Sequence, residues 1–182
     1  MDSVFRTPQV HVIGEIIGAS GFASTKVYAR WRMNVGHDWR LLSGIDNGET
    51  FYDCTEHVED ISVFEHPLDL HYACKTISGW PKFDVEVWTV DTHGRHSIAG
   101  YGCLTLPMSP GQYELDVLLW RPEGGIYEKL TSFFLSANPE LVHKNMVISG
   151  NDRFGLQTIS TGKVMLRVGV IVKDFNLHGV LM

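Results

Sequence analysis

Asp91, His93 and His96 sit close together in the chain and carry side chains that bind transition metals. Their spacing would let one carboxylate and two imidazoles share an ion, but no further protein ligand accompanies them. Histidines in loops are ordinarily solvated. The expected role of Asp91 is to cap its own turn through an Asx-type hydrogen bond. His66 and His71 are an odd number of residues apart, so a strand sends them to opposite faces and away from a common metal. A Walker loop, a GxSxG elbow and an HExxH pair are all missing. Gly100-Tyr101-Gly102 is a GxG within a strand, where it cannot cradle a phosphate at a helix start. Cys54, Cys74 and Cys103 fall in apolar or strand contexts that raise a thiol's pKa, which argues against a Cys–His nucleophilic pair without eliminating one. The expectation is a protein with no catalytic residues, no cofactor and no metal.

The elements that hold these residues read as strands. Phe83, Val85 and Val87 alternate with Asp84, Glu86 and Trp88, the period-2 pattern of a strand with one buried face. Pro81 lacks an N–H and belongs at that strand's start. Asp91-Thr92-His93-Gly94 is a turn, and a second strand begins near Ile98. Gly100 and Gly102 clear side chains from one face for something bulky, with Trp80, Trp88 and Tyr101 as candidates. Upstream, strands are expected over 9–17, 26–35 and 39–42, a hairpin turn at Asp46-Asn47-Gly48, and a return strand over 51–54. Leu68, Leu70, Tyr72 and Cys74 alternate, as do Tyr113, Leu115, Val117 and Leu119. Val164 to Val172 alternates at length. Ile126, Leu130, Phe133 and Phe134 make a helical stripe over 122–135, opened by Pro122 and stopped by Asn138-Pro139. Short alternating strands with glycine-rich turns point to an antiparallel sandwich.

The 182 residues are enough for one domain with a core, with residues 1–8 as a leader and 9–182 as the domain. Apolar content of 44% and charged content of 20% are ordinary for a globular chain. A net charge of −6 argues against nucleic acid as a partner. Three cysteines without CxxC spacing read as reduced, buried thiols of a cytoplasmic protein. No apolar run reaches membrane-span length, and Met1 to Val10 lacks a signal-peptide core.

Trp80-Pro81, Val87-Trp88, Asp91, Gly94-Arg95 and Gly100-Tyr101-Gly102 resemble the signature of the B9 domain family of ciliary transition-zone proteins. The resemblance extends to His11–Phe22, Trp39–Gly44, His66–His71 and the closing Phe175-Asn176 and Gly179-Val180. It implies an all-β, C2-like antiparallel β-sandwich, here with one short helical insertion. Many C2-type folds hold calcium through loop carboxylates, and calcium takes about six to eight oxygens. At the corresponding positions this chain has Thr89, Asp91 and Ser97, and Ala19 to Thr25 has no acid. Asp91 is left nearly alone.

The resemblance further implies a non-enzymatic scaffold or adaptor of the Meckel-type, Tectonic-like complex at the ciliary base, needed for cilium assembly and the diffusion barrier there. Its implied partners are the sister proteins B9 domain-containing protein 1 and Meckel syndrome type 1 protein, with Tectonic-type membrane proteins. The implied location is the basal body and transition zone, peripheral to the membrane. The alternative is a calcium-independent module on anionic lipid. Lys26, Arg30 and Arg32 on one strand, with Lys163, Arg167 and Lys173 on another, would form a positive lipid or partner surface if those strands were neighbours. The other expectation for them is an ordinary solvated face.

Overall fold

The computed structural model describes residues 7–57, 61–122 and 158–179. The strands are β1 (Gln9–Ser20), β2 (Lys26–Asn34), β3 (Trp39–Gly44), β4 (Asn47–Glu49), β5 (Asp53–Cys54), β6 (Ser62–Cys74), β7 (Lys82–Val90), β8 (His96–Thr105), β9 (Gly111–Pro122) and β10 (Thr158–Lys173), followed by a 3-10 turn at Asn176–His178. Period-2 alternation sorts their faces as expected. Val164, Leu166, Val168 and Val170 of β10 are buried, as are Val27, Ala29, Trp31 and Met33 of β2 and Phe83, Val85 and Val87 of β7. Each large apolar side chain of this kind contributes roughly 1.5–3 kcal/mol when fully buried.

Hydrogen bonding joins all ten strands in the order β3-β6-β1-β10-β9-β8-β7-β2-β4, with β5 also on β2. The pairings are antiparallel. The expected two-sheet sandwich with a helical insertion is corrected here. One continuous sheet curls into a half-barrel, because β8 and β9 stay joined through a single residue pair, Tyr101 with Trp120, instead of parting into separate sheets. The two wings still enclose a common core: Val12, Leu70 and Leu166 of one wing belong to the same buried cluster as Val27, Phe83 and Val85 of the other. No α-helix occurs among the described residues. Pro122 ends β9, paired with Thr158, because β10 runs out to meet it. Residues 123–135, where the helical stripe was expected, lie outside the described residues.

Other local expectations shift for identifiable reasons. β1 continues beyond Ile17, its expected last residue, to Ser20. The register slips between Ile16 and Gly18, and a side chain on Gly18 would strike the Ser62 carbonyl. Asp46-Asn47-Gly48 is no hairpin turn. Asn47–Glu49 crosses to the far edge of the sheet and pairs with β2, where the Trp31 indole lies so near Gly48 that a Cβ would come within 3.0 Å of its Nε1. Gly100 and Gly102 make room for Leu119 and Val117 of β9, together with Thr161, and not for the tryptophans.

The cysteines divide. Cys74 is buried, Cys103 is half-buried and Cys54 is exposed, which corrects the expectation of three buried thiols. Burial pushes the Cys74 thiol up to about 11, so at neutral pH it is protonated and shielded. In the native protein a maleimide should label Cys54 first and reach Cys74 only on unfolding. Mass-resolved labelling checks this, and Cys74 reacting as fast as Cys54 would count against it.

Candidate interaction surface

The loop between β7 and β8 is closed by Asp91. Its Oδ1 accepts the N–H groups of His93 and Arg95, both at 2.8 Å, and its Oδ2 accepts the Arg95 Nε–H at 2.7 Å. Gly94 N–H donates to the Asp91 carbonyl at 3.1 Å, and Gly94 takes φ 77°. The carboxylate is thus occupied by its own turn. His96 faces elsewhere, its Nδ1 2.9 Å from the Tyr28 hydroxyl. Thr89 and Ser97, the other two residues considered as calcium ligands, bond to each other at 3.0 Å.

The Arg95 N–H, helped by the Arg95 guanidinium and the His93 N–H, holds the Asp91 carboxyl down from an ordinary 3.8 to about 2. A depressed folded-state pKa gives stability that is present above about pH 4 and lost as pH falls through about 2. The melting-temperature gap between the natural chain and Asp91→Ala should therefore narrow from pH 4 to pH 2. A gap that stays constant over that range would exclude the capping role.

The outer face of β2, β7 and β8 carries a second apolar cluster. Tyr28, Trp88, Ile98 and Tyr101 are buried there, with Val90, Cys103 and Trp120 against them. Tyr28 alternates with the core residues of β2, on the side that also bears Arg30. Its cross-strand neighbour Trp88 covers it, the two rings stacked 6.4 Å apart. The Arg30 guanidinium lies 4.8 Å above the Trp88 ring and 5.7 Å from the Tyr28 ring, and its Nε–H donates to Glu49 at 2.6 Å. Arg30 clamps the cluster by a cation–π contact.

The remaining basic residues are distributed across the sheet. Lys26 and Arg32 are exposed on β2, Arg32 opposite Asp84 of β7. Lys163 donates to Asp116 at 2.7 Å. Arg167 bridges three strands, donating to Glu15 at 2.7 Å and Glu114 at 3.1 Å. Three strands separate β2 from β10, about 19 Å along the sheet, well beyond a Debye length of about 8 Å. The structure therefore does not bring the two basic sets together as one patch. Arg30, Lys163 and Arg167 each sit in an ion pair, and pairs this exposed to solvent contribute little to stability. His66 and His71 do part as expected: His66 meets the Trp31 ring and His71 stacks on His11.

One surface went unforeseen. Phe51 is 92% exposed and Tyr52 62% exposed, in the gap between β4 and β5 where a return strand was expected. A charge run could have drawn attention to it. Between Arg40 and Lys75 there is no lysine or arginine, while Asp46, Glu49, Asp53, Glu56, Glu59, Asp60, Glu65 and Asp69 all fall there.

Residues 10–171 match the B9-C2 family, described as "Ciliary basal body-associated, B9 protein". B9 domain-containing protein 2 of Mus musculus is 41% identical over 172 residues, covering 94% of this chain and 98% of that one. B9 domain-containing protein 1 of Xenopus laevis is 26% identical over 172 residues, covering 93% of this chain and 87% of that one. A C2 domain of plant Extended Synaptotagmin 1 is similar at 11% identity and a TM-score of 0.44, covering 93% of this chain and 98% of that one, a likeness too slight to assign the fold. With a family match along most of its length and a relative at 41% identity, this chain belongs to the B9 family of ciliary basal body-associated proteins.

Proposed function

We propose that this chain is a structural subunit of the Meckel-type, Tectonic-like complex, assembled with B9 domain-containing protein 1, Meckel syndrome type 1 protein and Tectonic-type membrane proteins. In this reading residues 9–182 form a single B9 domain behind a leader of residues 1–8. The domain sits at the basal body and transition zone, where it supports cilium assembly and the diffusion barrier. More coarsely, as a B9-family member it is a peripheral, membrane-adjacent cytoplasmic protein whose partners are other B9-domain and transition-zone proteins. Among the described residues no helix is long and apolar enough to cross a membrane.

The observation that carries the adaptor reading is the family match over residues 10–171. It is supported over direct lipid docking by the state of the cations: Arg30, Lys163 and Arg167 have carboxylate partners, and the two basic strands stand apart. Attraction to an anionic leaflet needs clustered basic residues, each worth about 1 kcal/mol. A stable protein contact should bury on the order of 1,200–2,000 Å².

Two measurements test this. The chain should co-purify with the two sister B9-domain proteins, and failure to do so would reject the adaptor reading. Sedimentation with phosphatidylserine vesicles should be weak and unchanged when Lys26, Arg30, Lys163 and Arg167 are all replaced by Glu. Strong sedimentation abolished by that variant would favour the lipid module.

A further inference from the structure

We infer that the outer groove over Gly169, together with the open edge of β10 beside it, receives an extended segment of a partner protein as an added strand. This rests on the adaptor reading above and assigns a surface to it. Ile13 of β1 pairs with Gly169 of β10, and Gly169 pairs with Gln112 of β9. Ile171 follows two residues on and so shares their face. Ile13 is 42% exposed and Ile171 is 54% exposed. Between them lies a groove of about 690 Å³, bounded also by Pro110 and Gly111 where β9 begins. Ligand clefts are commonly about 300–1,000 Å³, room here for a few side chains of one segment.

Gly169 leaves the floor of the groove bare. Its backbone is not left-handed, and a Cβ there would come no nearer than 3.5 Å to the Ile13 carbonyl oxygen, an ordinary contact. The fold therefore does not demand glycine at this position. The open edge is a separate feature. β9 pairs with β10 only as far as Gly111 with Val170. Ile171, Val172 and Lys173 go on pairing with β1, through His11, Val10 and Gln9, and have no strand on their other side among the described residues. Pro110, next in register, has no N–H to offer them. The Tyr113 hydroxyl holds this loop by donating to the Ser109 carbonyl at 2.9 Å, so the wall is set before anything docks.

The backbone selects the occupant. An open strand edge takes another extended chain, with main-chain hydrogen bonds along the edge and alternate side chains in the pocket beside it. The side chains that enter between Ile13 and Ile171 are then apolar. Charge is balanced across the strands that border the groove. Arg167 donates to Glu15 and Glu114, His11 lies 2.7 Å from Asp69, and Lys173 is followed by Asp174. Among the described residues no cluster of cations stands here to hold an anionic leaflet. A stable pair of folded copies needs on the order of 1,200–2,000 Å², more than this short edge offers. One extended segment needs only the edge and the groove.

A random-peptide library displayed on phage, selected on the full chain and counter-selected on Gly169→Leu, tests this. Recovered peptides should alternate large apolar with polar residues. Synthetic copies should bind Gly169→Leu and Ile171→Ser roughly tenfold or more weakly than the natural chain, as for loss of an interface anchor. The melting temperature of Gly169→Leu should not fall, because a Cβ there meets only ordinary contacts. One of the two alternately N-methylated forms of a peptide should fail to bind, since it lacks the N–H groups that face β10. Selection yielding no peptide that distinguishes the natural chain from Gly169→Leu would overturn the inference, as would full binding by both methylated forms. Phosphatidylcholine vesicles bound by the natural chain and not by Gly169→Leu would overturn it in favour of acyl chains. A dimer lost in that variant would overturn it in favour of a second copy. None of these results touches the adaptor reading, which stands or falls on co-purification of the natural chain with the two sister B9-domain proteins.

Discussion

Trp80→Ala is expected to lower the unfolding free energy by about 3–5 kcal/mol, the usual loss for a large buried aromatic. Trp80 is 5% exposed and stands edge-on to Trp39, with centroids 5.3 Å apart and planes at 90°, and to Phe175 at 6.3 Å. Trp39 is edge-on to Tyr72 in turn and donates its indole N–H to the Ser78 carbonyl at 2.9 Å. Residues near the middle, the start and the end of the chain thus meet in one aromatic joint. Each ring pair is worth about 0.5–1.5 kcal/mol beyond the area it buries. The Trp80 indole Nε1 is buried without a hydrogen-bond partner among the described residues, so Trp80→Phe should cost much less than the alanine change. Urea unfolding of the two variants measures the difference. Full stability in Trp80→Ala combined with lost partner binding would instead make Trp80 a contact residue.

Gly79→Ala is expected to cost about 2–5 kcal/mol, from left-handed backbone strain and overpacking together. Gly79 has φ 75°, and a Cβ there would come within 2.5 Å of the Gly36 nitrogen. That nitrogen donates to the Gly79 carbonyl at 2.8 Å, so moving the chains apart would break the bond as well. Gly36 is equally confined, since its own Cβ would lie 2.7 Å from the Ser78 carbonyl oxygen. Gly94 is the control: its φ is 77°, but a Cβ would meet nothing within 4 Å. Gly94→Ala should lose only the strain, about 1–2 kcal/mol. For a chain of this size the Gly79 change corresponds to a melting shift of roughly 4–20 °C. Equal shifts in the two variants would show that the close approach to Gly36 is unimportant.

The two variants also explain why the signature around Trp80 has the form it does. Trp80, Phe83, Val85 and Val87 are core, Gly79 admits a neighbouring loop, Gly100 and Gly102 admit Leu119 and Val117, and Asp91 with Gly94 builds a turn. These residues shape the body of the domain.

Much of the strand pattern could be read directly because alternation is local. Whether Val27, Ala29, Trp31 and Met33 share a buried face follows from a period of two, whatever strand lies beside them. The Asp91 turn was legible for the same reason, since its donors lie within four residues. Family membership was legible too, because the matched residues are spread along nearly the whole chain.

What local pattern could not supply was adjacency. Asp46-Asn47-Gly48 has the composition of a hairpin turn, and only the arrival of β2 beside it makes Asn47–Glu49 an edge strand. Pairing between β8 and β9 at Tyr101 and Trp120 depends on the curl of the sheet, and it turns an expected pair of sheets into one. The basic residues of β2 and β10 looked combinable until three intervening strands separated them and nearby carboxylates paired with Arg30, Lys163 and Arg167. Residue types and their spacing determined the strands, the turn at Asp91 and the family. Tertiary structure alone decided which cations are paired, which glycines are crowded and that Phe51 stands in water, because charge pairing, crowding and exposure depend on chain segments far apart in sequence.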